Sequence, residues 1–357
     1  MHARIARRLG VCALAFGLSA MAVATASAQT IELKFSTINA ENNVLAVAHK
    51  WWADEIEKRT DGRVTVRIFW ADSLVKGVDM LVGTGQGLTD VGVSTVGYYP
   101  GQLPLSTVLE LPYVTERVDA AMRAMNEAYA SFEPLREEFE SHNVRLLTFV
   151  PAPAGIIGTK VPVHSVDDLK GLKLRGFGVI NLSLEKLGAT GVAVPINELY
   201  VALQRGVVDG WSGTHAESAV ALKFYEVTKY MTNPAMGNFA AVHMVVNKDV
   251  WDGLPPDIQQ IVQEVTDEYI SKATQDFLDN NGKLVDVLLE NGVEFYHLPP
   301  EELERIRSIL LPGLWDDFVA QVDAKGLPGS ELFAVYRELV AKYEPDAVYE
   351  IAFPPRE

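Results

Sequence analysis

The sequence predicts an α/β protein of two domains, with a cleft between them and one long helix reaching across both. Three observations predict it. Short apolar strands alternate with helical stretches along almost the whole chain, the pattern of sheets covered by helices. The run Pro151-Ala-Pro-Ala-Gly155 interrupts that alternation as a Pro/Gly crossing, and a second crossing falls at Asn238-Phe239. Between residues 256 and 290 the helical pattern continues for roughly 50 Å at 1.5 Å per residue, longer than either domain needs. These bounds assign 29–152 with 239–278 to the first domain, and 153–238 with 279–357, including the C-terminal helices, to the second.

Each element follows from its local pattern. Residues 31–36 (IELKFS) alternate as a strand, and Val44, Val47, Trp51 and Ile56 mark a helix over 42–59 that Asp61-Gly62 stops. Val64, Val66 and Ile68 alternate with Thr65 and Arg67 as a second strand. A helix through 79–82 leads by GLTDVGVS into a third. Residues 116–142 read as one helix, and 144–150 (VRLLTFV) as the strand before the first crossing. Beyond it, Ser165-Val-Asp-Asp168 has the spacing of a capping box. A strand ends at 173–175, followed by helix 181–187, strand 191–194, helix 197–205 and strand 207–211. In the helix over 197–205, Tyr200 and Leu203 are expected in the core and Glu198 at the helix start. Residues 239–246 form the strand that returns to the first domain, and the helix over 256–290 has one weak point at Asn280-Asn-Gly282. Strands that alternate with helices predict parallel sheets.

Residues 1–28 read as a secretory signal peptide: Arg4, Arg7 and Arg8, an apolar run from Leu9, and Ala26-Ser-Ala28 as the cleavage site. The one cysteine, Cys12, lies inside it, so the exported chain has neither a disulfide framework nor a thiolate metal site. Export without disulfides suits a bacterial periplasm. The formal charge of −16 becomes −19 once the three leader arginines are gone, which argues against nucleic acid and anionic membrane surfaces as partners. An anionic ligand would need a local cation.

Gly171-Leu-Lys-Leu-Arg-Gly-Phe-Gly178 supplies one. Arg175 stands at a strand end, where ligands of open α/β sheets bind, and its planar fork matches a carboxylate two bonds at a time. Gly176 and Gly178 let a ligand approach. The alternatives are an arginine reaching solvent or one paired with Asp167 or Asp168. A strand-end arginine facing a solvated cleft would not be core, so the fold should tolerate its loss. Aromatic residues cluster near presumed strand ends, at Phe69-Trp70, Tyr98-Tyr99, Phe177, Trp211 and Phe239; most aromatics are core, but some here could stack on a ligand. His215, beside the Asp209-Gly210 turn, is the one histidine in a suggestive place. GTGQGL at 83–88 lacks nucleotide-loop spacing, no histidine pair stands at i, i+4, and no carboxylate pair proposes acid–base work. Nothing here proposes a reaction, which leaves an enzyme open on these residues alone; no cofactor and no metal among the site residues are expected.

DDLKGLKLRGFG, LEKLGATGVAVPINELYVALQRGVVDGW and KFYEVTKY, in this order, resemble the substrate-binding proteins of TRAP transporters, the tripartite ATP-independent periplasmic systems. The resemblance extends over essentially the whole chain after the leader, including LKFSTINAENN. It implies a two-domain periplasmic-binding-protein-like fold whose cleft closes on a small organic acid, and a monomer that delivers it to membrane permease subunits. The arginine that clamps the substrate carboxylate falls on Arg175, and other contact positions fall near Asn39, Ser94, Thr95, Tyr98, Gly178, Ile196 and Gly213. Two departures narrow the ligand. A second arginine of some members falls near Gly155, and WSGTH stands where many carry an asparagine after the Asp-Gly turn. A monocarboxylate or zwitterion fits better than a ligand with two strong anionic ends. The competing readings are an ABC-type receptor and a periplasmic enzyme acting on a small carboxylate.

Overall fold

The chain crosses three times between two sheets, before Ile156, Val242 and Glu294, and antiparallel pairing records the first two crossings. The structure, a computed structural model, describes residues 30–150, 152, 155–237, 240–349 and 353–354; the expected leader and Phe239 lie outside them. The first half runs β1 (Ile31–Thr37), α1 (Val44–Arg59), β2 (Val64–Phe69), α2 (Met80–Gly85), β3 (Val91–Thr95), α3 (Val118–Ser131), α4 (Glu133–Glu140) and β4 (Val144–Val150). Then come β5 (Ile156–Thr159), β6 (Lys173–Gly176), α5 (Gly178–Lys186), β7 (Thr190–Ala193), α6 (Leu199–Gln204), β8 (Gly210–Thr214), α7 (Ala216–Ala221) and β9 (Tyr230–Asn233). The chain ends with β10 (Val242–Asn247), α8 (Lys248–Gly253), α9 (Pro256–Glu290), β11 (Glu294–His297), α10 (Pro300–Asp323) and α11 (Gly329–Tyr343).

The first sheet has the order β2-β1-β3-β10-β4 and the second β11-β9-β5-β8-β6-β7. They are mixed rather than parallel. β10 runs antiparallel to β3 and β4, and β5 antiparallel to β8 and β9. Both are the first strands after a crossing. A helical crossover within one sheet fixes the next strand parallel, whereas a strand arriving from the other sheet carries no such constraint.

Helix α1 starts where the Asn43 side chain accepts the Leu45 N–H, and it buries His49, Trp52, Ala53 and Ile56 on one face. That face packs on α9, with Trp52 Nε1 donating to Thr266 Oγ1 at 2.9 Å. The expected helix over 116–142 is two helices broken at Phe132, because Pro134 can neither donate its backbone N–H nor avoid the preceding turn. Helix α9 holds its 35 residues through Asn280-Asn-Gly282 and packs on α1, α3 and β4 as well as on α7, so it touches the layers of both sheets. α10 kinks at Pro312-Gly313 and lies on α5. α11, which the sequence reading grouped with the second domain, packs on α3 behind the first sheet. No helix among the described residues is long and apolar enough to cross a membrane.

Two shifts matter for the site. The strand expected at 207–211 is β8, starting at Gly210, because Gly206 (φ +72°) ends α6 and Asp209 is held against Lys173 by two hydrogen bonds. Tyr200 is half-buried, with its hydroxyl on Glu226 at 2.7 Å, while Leu203 is core as expected.

Candidate ligand-binding site

Arg175 is the third residue of β6, paired with Val192 on β7 and Trp211 on β8. Its side chain is 1 % exposed, so it does not stand in a solvated cleft. Burial on this scale is tolerated because the guanidinium is laced to neutral acceptors. Nε donates to Val194 O at 2.9 Å, Nη1 to Ser212 O at 3.3 Å and Gly213 O at 3.0 Å, and Nη2 to Tyr98 Oη at 3.1 Å. The Phe177 ring lies 4.9 Å from the guanidinium carbon. Asp167 and Asp168 are not its partners: Asp167 pairs with Lys170 and Arg305, and Asp168 caps His164 and Ser165. Guanidinium has five N–H groups, and these bonds use four. The fifth, on Nη2, has no recorded partner among the described residues. Tyr98 Oη accepts from Arg175 and from the Ile196 N–H at 2.9 Å, which leaves its own proton for another acceptor.

Those two donors belong to a cavity of about 60 Å³ between the sheets, whose walls include Asn39, Asn43, Thr95, Tyr98, Ile196, Gly213, His215 and Ser218, together with Arg175 and Phe177. The Phe177 ring fits because its neighbours have no side chains. A Cβ on Gly97 would lie 2.2 Å from that ring, and one on Gly213, at φ +72°, would lie 2.9 Å from it. Tyr98 meets Phe177 edge-on, with centroids 5.7 Å apart. On their far side lies a groove of about 460 Å³ lined by Leu182, Val194, Pro195 and Phe318.

The titratable groups around the cavity leave Arg175 as its firm charge. Burial lowers the pKa of Arg175, an effect its contact with Tyr98 opposes, but guanidinium starts so far above neutrality that it keeps its charge, and burial raises Tyr98, which holds its phenol proton. Burial pushes His215 down to about 3, a neutral ring. Behind the walls, burial raises Glu110 and Glu217 to about 7. Glu110 accepts the Ala241 N–H at 3.0 Å and Thr95 Oγ1 at 3.5 Å. Glu217 accepts the Val44 N–H at 2.7 Å, a bond from the start of α1 beside the first sheet to the start of α7 beside the second. Other bonds join the same two sides: Asn42 Nδ2 to Ala221 O, and Asn197 Nδ2 to Ile38 O and Asp72 Oδ2.

Of the residues anticipated from sequence, Asn39, Thr95, Tyr98, Arg175, Phe177 and His215 meet at this cavity. Ser94 does not. It alternates with Thr95 along β3, and its hydroxyl turns away to donate to Gly77 O at 2.8 Å. Trp211 does not either: the late start of β8 places it within the strand, fully buried, with Nε1 on Thr228 Oγ1 at 3.1 Å and Phe224 against its ring. Phe239 lies outside the described residues. Sequence reasoning missed Asn43 and Ser218 as walls. Asn43 caps α1, one residue beyond the helix start the sequence reading placed at 42, and nothing in the spacing pointed Ser218 inward.

Residues 35–321 match the family described as bacterial extracellular solute-binding protein, family 7. The C4-dicarboxylate-binding periplasmic protein DctP of Rhodobacter capsulatus is 27% identical, over 89% of this chain and 94% of that protein. A TRAP periplasmic solute-binding protein of Desulfovibrio salexigens superposes with a TM-score of 0.70 at 29% identity, covering 89% of this chain and 98% of that one. A TRAP solute-binding protein of Rhodoferax ferrireducens, solved with copurified benzoate, gives a TM-score of 0.80 at 24% identity, covering 89% and 100%. The two-sheet architecture and the motif run around Arg175 thus agree with the match over most of the length, and the chain belongs to the DctP family of bacterial extracellular solute-binding proteins, the solute receptors of TRAP transporters.

Proposed function

We propose that the cavity at Arg175 binds one small organic acid, a monocarboxylate or zwitterion, and that the receptor closes on it in the periplasm and hands it to the membrane subunits of a TRAP permease. The observation that carries this is that Arg175, with its spare Nη2 proton, and Tyr98, with its hydroxyl proton, line the same small cavity. Two donors side by side, one of them cationic, suit the two oxygens of a carboxylate. A single firm positive charge suits a single negative one.

Size supports a small ligand. An apolar cavity of about 150 Å³ admits benzene, and this one holds about 60 Å³. Benzoate, the ligand of the Rhodoferax relative, would need the sheets further apart. The nearest carboxyl groups favour binding over turnover, because Glu110 and Glu217 are occupied with main-chain N–H groups across the cavity walls. The receptor acts as a monomer with no cofactor in this reading. A thermal-shift screen of two- to six-carbon carboxylates, followed by calorimetry, tests it. One acid binding at one site per chain is expected; no response to any carboxylate, with tight binding of an uncharged solute, would overturn it.

A further inference from the structure

Asn39 reaches the cavity with one of its two amide groups already committed. Its Oδ1 accepts from Thr37 Oγ1 at 3.0 Å and lies 3.1 Å from His49 Nε2. Thr37 Oγ1 in turn accepts the Asn39 main-chain N–H at 3.1 Å, so the local loop is closed without Nδ2. His49 is fully buried on α1, and its Nδ1 lies 2.9 Å from the hydroxyl of Tyr269 on α9. A neutral imidazole has one donor nitrogen and one acceptor nitrogen. Burial holds His49 neutral, with a pKa lowered to about 3, and holds Tyr269 well above its ordinary value as an un-ionised phenol. Phe35 and Tyr269 flank the ring with centroids at 5.1 and 5.8 Å, leaving it little room to turn.

We propose that Tyr269 and His49 are positioning residues that fix the Asn39 carboxamide with Nδ2 toward the ligand, making that wall a hydrogen-bond donor and selecting a 2-oxo or 2-hydroxy acid over the matching amino acid. The direction of each bond follows from the one before it. The Tyr269 O–H donates to Nδ1, which makes Nε2 the protonated nitrogen. Nε2–H donates to Asn39 Oδ1, and the amide can then turn only its N–H groups to the cavity. Arg175 Nη2 and Tyr98 Oη already present donors there. A ligand oxygen at C2 meets a partner at Asn39; an ammonium meets another donor and leaves a desolvated group unpaired. This inference rests on the carboxylate reading of the site.

Two measurements test it. In the intact receptor, ¹⁵N shifts of the His49 ring, assigned against His49→Phe, should report Nε2 protonated and Nδ1 bare; an Nδ1–H tautomer overturns the proposal whatever the ligand. Calorimetry with pyruvate, lactate and alanine, which share three carbons and a carboxylate, reads the selectivity. Wild type should favour pyruvate and lactate over alanine. Tyr269→Phe keeps the ring but frees the tautomer, so pyruvate should weaken about three- to tenfold and the pyruvate-to-alanine ratio should narrow. A ratio unchanged in a folded Tyr269→Phe, or wild type taking alanine as well as pyruvate, overturns the relay alone. Should wild type bind none of the three, the same comparison is made with the 2-oxo, 2-hydroxy and 2-amino forms of the acid found by screening; no response to any carboxylate of two to six carbons overturns the small-carboxylate reading and the relay with it.

Discussion

Replacing Arg175 by alanine separates two roles that the same guanidinium holds. Toward the ligand, it offers one charge-assisted N–H and aligns the Tyr98 hydroxyl. A hydrogen bond to a charged group contributes about 1.5–3 kcal/mol, and about 1.4 kcal/mol is tenfold in affinity, so Arg175→Ala should weaken the carboxylate found by screening about ten- to a hundredfold. Toward the protein, it satisfies the carbonyls of Val194, Ser212 and Gly213. Its loss leaves them facing a void that water from the cavity can partly fill, so stability should fall by about 3 kcal/mol. The premise of the sequence expectation, an arginine facing a solvated cleft, does not hold, and the fold should survive the change only at this cost. Arg175→Lys keeps the charge but cannot span three carbonyls and a phenol with a compact ammonium, so it should recover only part of each loss. Titration calorimetry and thermal melts read the two roles separately. A folded Arg175→Ala that binds within about threefold of wild type would refute the reasoning.

Glu110 carries a pH signature. Its carboxyl moves from 4.5 to about 7 on folding, so the stabilisation is complete below about 4.5 and is lost as pH rises through 7. Glu110→Gln should gain on wild type by on the order of 3 kcal/mol between pH 4.5 and 8, read from melts at each pH, and a constant difference contradicts the shift. Trp211→Ala should cost about 3–5 kcal/mol as a core truncation yet leave affinity within a few-fold in the folded fraction; a selective loss of binding would return Trp211 to the site. Phe177→Ala should join the 60 Å³ cavity to the 460 Å³ groove and shift preference toward aromatic acids, which a benzoate titration checks. Small-angle scattering should show the ligand-bound receptor as compact as this structure, in which the Val44–Glu217 and Asn197–Asp72 bonds already join the two sides, and the free receptor wider; an unchanged radius at saturation counts against closure.

What the sequence disclosed about these positions followed the range of the interactions involved. Helix α9 was legible end to end because its periodicity and Pro256 are local signals. Arg175 was legible as a special residue from its glycine flanks, but its burial was not, because its acceptors come from residues 194, 212 and 213, which only the paired strands bring beneath it. Ser94 and Thr95 differ by one step on β3, and which of them faces the cavity depends on what covers each face of the sheet. Trp211 depended on where β8 begins, a boundary set by the Asp209–Lys173 pairing rather than by composition. His49 reads as an ordinary apolar-face residue of α1 until Tyr269, 220 residues later, is packed against it. Glu110 and Glu217 carry no motif at all, and their raised pKa values arise from burial between elements remote in sequence.

The most direct test of the account is a crystal structure of the receptor with the small acid selected by screening. The ligand carboxylate should lie within about 2.7–3.1 Å of Arg175 Nη2 and Tyr98 Oη, while Nε and Nη1 keep their carbonyls at Val194, Ser212 and Gly213. A carboxylate seated against His215 and Ser218, with Arg175 making no contact to the ligand, would contradict it.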